Sequence, residues 1–290
     1  QSLTLADGNK NYALDAGFAF IEKGDSGDRL MFCAAGKENV GAYVIPSTVA
    51  SLAENAFNGA STMTSVTVPE SVSRLEKGVF DNCSALTSAA LPATLTSIGE
   101  GAFGGCWMLE EINLSETAVR TIESNAFSMC SSLVSVNLPV TAVQIALDAF
   151  SYCDMLTEIN AAPQSEYFST KDGSLCSADG KTLLIYPVGL LAVNNGAFVS
   201  PEGIEVIVGG LLNRVFGVQT IEFKEGVKTV EGYFAPYTTA RTVTFPSTIE
   251  EIGYGAFSGN RSATVYIFNG VSVPAIDCPL PTFGNGSDQI

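Results

Sequence analysis

Apolar side chains recur along this chain at a nearly constant interval between residues 44 and 268. The clearest mark is a phenylalanine that follows an alanine or a valine and returns every 23 or 24 positions, as Phe57, Phe80, Phe103, Phe127 and Phe150. A period of this length is typical of a solenoid, in which each coil buries its apolar side chains only by stacking on its neighbours.

Each repeat also contains a short segment of apolar and polar residues that suits a strand. In the segment from Leu133 to Leu138, an extended chain turns Val136 inward and Ser135 and Asn137 outward. A proline follows the segment in most repeats, at positions 46, 69, 92 and 139. Because proline has no amide hydrogen, it fits where the strand ladder has ended. We predict that each coil has one strand, a turn, a phenylalanine corner and a return, with the strands forming a parallel sheet.

The extent of the repeat predicts three parts of the chain. Residues 44–274 are predicted to form one solenoid of about nine coils, and residues 275–290 an extended C-terminal end piece. Residues 1–43 lack the repeat and are predicted to form an N-terminal cap. Its apolar runs, Gly17–Ile21 and Arg29–Cys33, are separated by glycine and aspartate and predict a hairpin.

An insert at residues 161–186 interrupts the repeat. Two strands are predicted there around the turn Asp179-Gly180, because this dipeptide strongly favours a hairpin. We interpret the insert as a hairpin between two coils rather than a domain boundary. The repeat is predicted to resume in step at Pro187, which places Phe198 at the next corner. Ile207 is then assigned to the strand of the following coil, and the apolar residues after it are irregularly spaced.

Composition and charge narrow the range of partners. Apolar residues make up 46% of the chain and charged residues 15%, which disfavours disorder, and no uncharged run approaches membrane-spanning length. The net charge of −16 repels phosphate backbones and anionic lipid headgroups, so no nucleic-acid or membrane partner is predicted. The chain begins at Gln1 without a methionine or an apolar leader, so we expect a processed or truncated product whose targeting segment is missing.

Catalytic and metal-binding residues are not predicted. The chain has no histidine, which removes the commonest general base and the imidazole zinc ligands. Glu110, Glu111 and Glu158 are predicted to stand on an open sheet, whereas glycoside hydrolysis needs a carboxylate pair held in a cleft. Asp172 and Asp179 fit turns better than a calcium loop, since neither stretch has the spaced acidic ligands. We therefore predict no catalytic residues, no metal and no cofactor.

Seven cysteines are present, and four of them occupy one position in successive repeats, as Cys83, Cys106, Cys130 and Cys153. Metal ligands converge on one ion, whereas a column with one thiol per coil, about 4.8 Å apart, does not converge. We predict that these four are buried thiols that pack as small apolar groups. The sequence leaves open one disulfide bond among Cys33, Cys176 and Cys278.

The outward positions of the predicted sheet are the candidate binding face, because solenoid sheets commonly bind there. The predicted binding residues are Thr67, Glu111, Asn113, Ser135, Asn137, Glu158, Asn160, Glu222 and Thr244. Val206 and Val208 would form an apolar spot on this face if their strand keeps register. Trp107 does not fit a core column, and it is either a partly exposed packing residue or a binding hot spot.

The repeat unit, L-x-x-V-x-L-P-x-x-V-x-x-I-x-x-x-A-F-x-x-C, resembles the BspA-like leucine-rich repeats, also called the Treponema pallidum type, from about Val44 to Pro274. Its Ala-Phe-x-x-Cys element carries the resemblance, because ordinary leucine-rich repeats have an asparagine ladder instead. The hairpin around Asp179-Gly180 is also similar to an insert common in that family. The resemblance implies an α/β-type right-handed superhelix, mostly strand and loop, with a parallel β-sheet on its concave face.

The resemblance also implies a function. Members of that family are typically bacterial surface or secreted proteins, and their known roles are in adhesion. We therefore expect a non-enzymatic, exported, monomeric protein, extracellular or on the cell surface, that binds an extracellular or host protein through its concave face. A glycan-binding surface protein is the alternative, and a glycan-degrading enzyme is a distant third. The family has no shared ligand-contacting motif, so the resemblance implies no site residues.

Overall fold

The structure is a computed structural model that describes residues 4–33, 40–213, 215–260, 265–270 and 275–276. It is a parallel β-solenoid of about ten turns with almost no helix, which confirms the predicted leucine-rich-repeat fold. The chain divides into two compact units. Unit 1 contains the residues up to Leu156 together with 162–166, and unit 2 contains residues 157–161 and those from Tyr167 onward. This division falls at the start of the predicted insert, while the predicted domain limits stay predictions.

Unit 1 is built from short strands. They are β1 (Tyr12–Asp15), β2 (Ala19–Glu22), β3 (Asp28–Cys33), β4 (Gly41–Val44), β5 (Val49–Leu52), β6 (Met63–Thr67), β7 (Arg74–Leu75), β8 (Ser88–Ala90), β9 (Ser97–Ile98), β10 (Glu111–Asn113), β11 (Thr121–Ile122), β12 (Ser135–Asn137) and β13 (Gln144–Ile145).

In its described residues, unit 2 has the same kind of strands and one helix of five residues. Its elements are β14 (Glu158–Asn160), β15 (Phe168–Lys171), β16 (Ser174–Ser177), β17 (Thr182–Ile185), α1 (Gly189–Val193), β18 (Ala197–Val199), β19 (Val206–Ile207), β20 (Thr220–Glu222), β21 (Thr229–Val230), β22 (Thr242–Phe245), β23 (Glu251–Ile252), β24 (Val265–Phe268) and β25 (Ala275–Ile276).

The coils carry two rows of parallel strands, whereas the repeat predicts one. The front row, which corresponds to the predicted sheet, contains β4, β6, β8, β10 and β12 in unit 1 and β18, β20, β22 and β24 in unit 2. The second row contains β7, β9, β11 and β13 in unit 1 and β17, β19, β21, β23 and β25 in unit 2. Most second-row strands have only two residues, too few for the alternation by which a strand is recognised in a sequence.

The phenylalanine column is the core of unit 1, as predicted. Phe57, Phe80, Phe103, Phe127 and Phe150 are all buried, and the ring centroids of successive coils lie 5.2–5.3 Å apart in stacked geometry. The backbone is paired at the same place, because the amide of Phe80 donates to the carbonyl of Ala102 in the next coil, at 2.8 Å. Each coil is therefore held by its neighbour through both ring packing and an amide hydrogen bond.

Each unit contains a three-stranded antiparallel meander. In unit 1, β1, β2 and β3 form the meander, which includes the predicted hairpin, and β3 then pairs in parallel with β5. In unit 2, β15, β16 and β17 do the same, and β17 pairs in parallel with β19. The predicted turn is present, since the amide of Gly180 donates to the carbonyl of Ser177. The insert therefore supplies the first strand of the second row in unit 2.

The predicted restart of the repeat at Pro187 is wrong. The helix α1 follows this proline, and Phe198 lies in β18, where it pairs in register with Ile221 of β20. Phe198 is therefore a front-strand residue and not a corner residue. Ile207 lies in the second row and not in a front strand. With this register the front strands of unit 2 begin at residues 197, 220, 242 and 265, so the repeat stays regular.

The corner positions of unit 2 follow from its backbone ladder. The amide of Ala235 donates to the carbonyl of Ala256, as the corner amides of unit 1 do to the next coil. Ala235 is therefore the corner residue, and the usual order of small residue and phenylalanine is inverted to Phe234-Ala235. Both residues are fully buried, so the inversion keeps the phenylalanine ring in the core.

Truncation of one corner ring tests the role of the column. We expect Phe103→Ala to lower the free energy of unfolding of the protein by about 3–5 kcal/mol, because it removes stacking on both neighbouring rings and leaves a cavity. Val140→Ala, at an exposed position of the same unit, is the matched control and should change it by less than about 0.5 kcal/mol. Urea denaturation followed by circular dichroism measures both values. Equal losses for the two variants would contradict the role of the column.

Candidate functional site

Four predicted binding residues form a two-by-two array on the front row of unit 1. Glu111 of β10 pairs in register with Ser135 of β12, and Asn113 pairs with Asn137. Between them, Ile112 and Val136 point into the core and are buried. Glu111, Asn113 and Asn137 are exposed and Ser135 is half-buried, so the predicted outward direction is correct for all four.

The side chain of Asn113 is already engaged within its own coil. Its Oδ1 accepts hydrogen bonds from the Ser115 amide, at 3.0 Å, and from Ser115 Oγ, at 2.8 Å. Ser115 stands where most coils have a proline, and its two hydrogen bonds to Asn113 form a turn at this position. The amide oxygen of Asn113 is thus used by the fold.

Thr67 lies apart from this array. It is exposed on β6, which belongs to the sheet of β4, β6 and β8 rather than to the ladder of β10 and β12. Its neighbours in register are Val44 on β4 and Ala90 on β8, both exposed. The first front strands of unit 1 are therefore less polar than the sequence predicts, partly because β4 was not predicted.

The other predicted residues lie in unit 2, on two different strand groups. Glu158 and Asn160 lie on β14, where Asn160 Nδ2 donates to Glu158 Oε2 at 3.3 Å. The insert packs along this strand, since the amide of Ile159 donates to the carbonyl of Gly173. Glu222 on β20 and Thr244 on β22 are in register in the front row.

The predicted apolar spot at Val206 and Val208 is wrong. Both residues belong to the second-row segment around β19, and Val208 is only 8% exposed. The last front-row strand in the described part of unit 2 is β24, where Val265 and Ile267 pair in register with Thr242 and Thr244. These two apolar side chains are exposed, so the front row becomes more apolar at this strand.

The structure adds a surface that the sequence analysis identified at Trp107 alone. Six large apolar side chains lie between the corner and the front-strand position in three consecutive coils of unit 1, and each is 43–57% exposed. We call this surface the loop patch: Trp107, Met108, Met129, Val134, Tyr152 and Met155. The signal in the sequence is a comparison between coils, because the first two coils have only small residues or asparagine and threonine at the same positions.

The cysteine column is a set of buried thiols, as predicted. Each Sγ donates to the carbonyl oxygen of the corner phenylalanine one coil earlier, as Cys106 does to Phe80 at 3.2 Å and Cys153 to Phe127 at 3.1 Å. Burial raises the pKa of the Cys83 and Cys153 thiols to about 12. The thiols are therefore protonated, which suits a hydrogen-bond donor and not a nucleophile or a metal ligand.

The remaining candidates have structural roles. Cys33 and Cys176 are buried free thiols, and Cys278 lies outside the described residues. Asp179 accepts hydrogen bonds from Ser177 Oγ and from the Lys181 amide, and these bonds, with Ser177 first, lower its pKa. This is the turn chemistry that the sequence predicts for Asp179.

No group of three or more histidine, cysteine, aspartate or glutamate side chains is arranged to hold a metal ion within the described ranges. Nor does that part of the chain contain a helix that is long and apolar enough to cross a membrane. The surface described above contains exposed hydroxyl, amide and carboxylate groups and the exposed apolar side chains of the loop patch.

The repeats and this surface define a leucine-rich-repeat protein. The model of the BspA type leucine-rich repeat region matches residues 32–171 and 194–276, with six copies. Because the match covers most of the chain, the protein belongs to the BspA-type leucine-rich repeat family, as its repeat unit predicts.

Two crystal structures illustrate the similarity of fold. The pneumococcal vaccine antigen PcpA aligns with a TM-score of 0.60 and 16% identity, over 94% of this chain and 89% of that chain. A leucine-rich repeat protein from Eubacterium ventriosum aligns with a TM-score of 0.55 and 15% identity, over 91% of this chain and 72% of that chain. At these identities the similarity shows the fold alone. No curated protein sequence matches the chain.

The buried thiols predict a dependence of stability on pH. The pKa of Cys83 is about 12 in the folded protein and near 9 in an unfolded chain. Between these values the unfolded state binds fewer protons, so the free energy of unfolding falls as the pH rises from about 9 to about 12. Cys83→Ala should reduce the steepness of this fall relative to the unmodified protein, as measured by urea denaturation at pH 8, 9, 10 and 11. Parallel curves for the two proteins would contradict the assignment.

Proposed function

We propose that this protein is an exported, non-enzymatic binding protein that attaches to another protein through the front row of its solenoid. Membership in the BspA-type family supports a role in protein binding, as does the similarity of fold to a bacterial antigen. The observation that carries the proposal is the array on β10 and β12, where Glu111, Asn113 and Asn137 are exposed at positions that lie in register on neighbouring strands.

The array suits a protein partner for a simple chemical reason. Glu111 offers a carboxylate, Asn137 an amide and Ser135 a hydroxyl, so acceptors and donors occur within two neighbouring strands. Neighbouring strands lie about 4.8 Å apart, and this spacing lets one extended peptide reach both. The unit 2 pair, Glu222 and Thr244, offers the same kinds of group at the same spacing.

A glycan is the second candidate ligand, since hydroxyl, amide and carboxylate groups also bind sugars. The surrounding charge favours the protein, because a net charge of −16 repels sulfated and uronic-acid glycans and attracts basic proteins. Placement outside the cell or at its surface is part of the same proposal. It is supported by the family and by the antigen whose fold is similar.

Two pairs of substitutions test the front row. We expect Glu111→Ala/Asn137→Ala in unit 1, or Glu222→Ala/Thr244→Ala in unit 2, to weaken binding to a purified protein partner at least tenfold, because each pair removes two hydrogen-bonding groups. Biolayer interferometry against a panel of purified extracellular-matrix proteins, beside a glycan array, measures this.

The control exchanges two exposed polar residues on the second row, Arg74→Ala/Glu251→Ala, one in each unit. Circular dichroism must show that every variant is folded. Protein binding that survives both front-row pairs would place the site elsewhere, and hits on the glycan array without any protein hit would support the glycan candidate instead.

A further inference from the structure

The loop patch is one surface rather than six scattered side chains. Adjacent coils are hydrogen-bonded at this place, with the Met129 amide donating to the carbonyl of Ser151 and the Ser132 amide donating to the carbonyl of Trp107. Coils joined in this way lie about 4.8 Å apart. The Met129 amide is bonded to Ser151, the residue before Tyr152, so Met129 and Tyr152 lie on adjacent coils. In the same way, Trp107 lies beside Ser132 of the next coil, which has a small side chain. The patch continues across the three coils.

The fold does not require large side chains at these positions. The same loops in the first two coils contain Gly59, Ser61, Thr62 and Thr64, and Asn82, Ser84, Ala85 and Thr87. These two coils adopt the same corner and the same front strand with almost no apolar side chain exposed there. Within unit 1, the apolar character of the loop patch is therefore a property of coils three to five and is not required by the repeat.

Two members of the loop patch occupy unfavourable backbone conformations. Met129 and Tyr152 have φ angles of +62° and +61°, in the left-handed region, where the equivalent Asn82 and Gly105 also lie. Glycine and asparagine adopt this region readily, whereas bulky residues rarely do. Large, exposed side chains at strained positions indicate that something other than folding keeps them there.

The charge around the loop patch defines the partner. Glu110 directly precedes β10, and Asp154 lies between Tyr152 and Met155; both carboxylates are exposed. From residue 78 to residue 156 the chain has eight acidic side chains and one basic side chain, Arg120. Arg120 precedes the second-row strand β11 and so lies away from the loop patch. An occupant must therefore combine apolar groups with positive charge.

We propose that the loop patch binds a basic protein segment in which apolar side chains alternate with lysine or arginine. This proposal rests on the proposed function, for which it names the apolar anchor in unit 1 and the chemistry of the partner. Tryptophan and tyrosine dominate binding hot spots, and methionine adapts its shape to varied apolar partners. The rings of Trp107 and Tyr152 also attract cations, and Glu110 and Asp154 pair with lysine or arginine.

The electrostatic potential at the loop patch can be measured without any ligand. Trp107 is the only tryptophan of the chain, so fluorescence excited at a wavelength that tyrosine does not absorb reports on the loop patch alone. We expect caesium ions to quench this fluorescence more efficiently than iodide ions, relative to their quenching of free N-acetyltryptophanamide. The ratio of caesium quenching to iodide quenching should fall in the variant Glu110→Gln/Asp154→Asn. More efficient quenching by iodide would contradict the charge on which the proposal depends.

Binding is tested with three synthetic peptides of twelve residues. One alternates phenylalanine with lysine, the second alternates phenylalanine with glutamate, and the third alternates serine with lysine. We expect the first to bind at least tenfold more tightly than the other two, with a blue shift of Trp107 emission and with affinity that decreases as salt increases. Fluorescence anisotropy of labelled peptides measures the dissociation constants.

Variants then assign the binding to the loop patch. Trp107→Ser/Met155→Ser should weaken binding of the phenylalanine-lysine peptide at least tenfold. The matched control, Val140→Ser/Leu147→Ser, removes two exposed apolar side chains of unit 1 outside the loop patch and should leave the affinity unchanged. Circular dichroism establishes that both variants are folded.

Five outcomes of the binding experiments would overturn the proposal: no binding of the phenylalanine-lysine peptide, equal binding of the phenylalanine-glutamate peptide, equal binding of the serine-lysine peptide, equal effects of patch and control variants, or self-association of the protein that the patch variant abolishes. The last outcome would assign the loop patch to a second copy of the chain. None of them decides the proposed function, because the front-row variants Glu111→Ala/Asn137→Ala leave the loop patch intact and are measured on a protein partner.

Discussion

The stacking of each coil on the next is the interaction on which the rest of the structure depends. In unit 1 it has three components at one place: ring packing between successive corner phenylalanines, an amide hydrogen bond between coils, and a thiol donated to the carbonyl of the preceding corner. All three use buried groups. The loops that leave the corner are therefore free to vary, which is why glycine, asparagine, methionine and tyrosine all occur two residues after it.

Unit 2 achieves the same stacking with different side chains. Its corners at Leu212 and Ala235 are smaller than phenylalanine, and rings from the front strands fill the space instead. Phe198 packs edge-on against Phe234, with ring centroids 5.3 Å apart, and Phe223 lies 5.4 Å from Phe234. Close packing requires only that the side chains at facing positions together fill the space between them. The cysteine position is occupied by other donors with other acceptors: Thr238 donates to the carbonyl of its own corner residue, Ala235, and Asn260 donates to the carbonyl of Ala240.

This exchange explains how much could be predicted from the sequence. In unit 1 the same residue types recur at the same position, so the period identified the buried column, and the strand alternation indicated the outward direction of Glu111 and Asn137. In unit 2 a buried phenylalanine occurs at a corner in one coil and in a front strand in another. The sequence pattern therefore assigned Phe198 to the corner. That assignment placed the next front strand at the wrong residues and predicted that Val208 is exposed. The second row was not predictable, because a two-residue strand has no alternation to detect.

The candidate surface has two parts, the polar front row and the apolar loop patch, and only the first could be predicted from the sequence. Polar residues of the front row follow the strand alternation and were predictable one by one, but an exposed polar group exchanges water for a partner at little net gain. The loop patch has no period and emerged only when coils were compared, yet burial of apolar surface contributes about 25 cal/mol per Å². In the proposed complex, the affinity would therefore come mainly from Trp107 and its neighbours. The front row would contribute orientation and the choice between partners, because only a ligand whose own polar groups match it can dock without leaving buried groups unpaired.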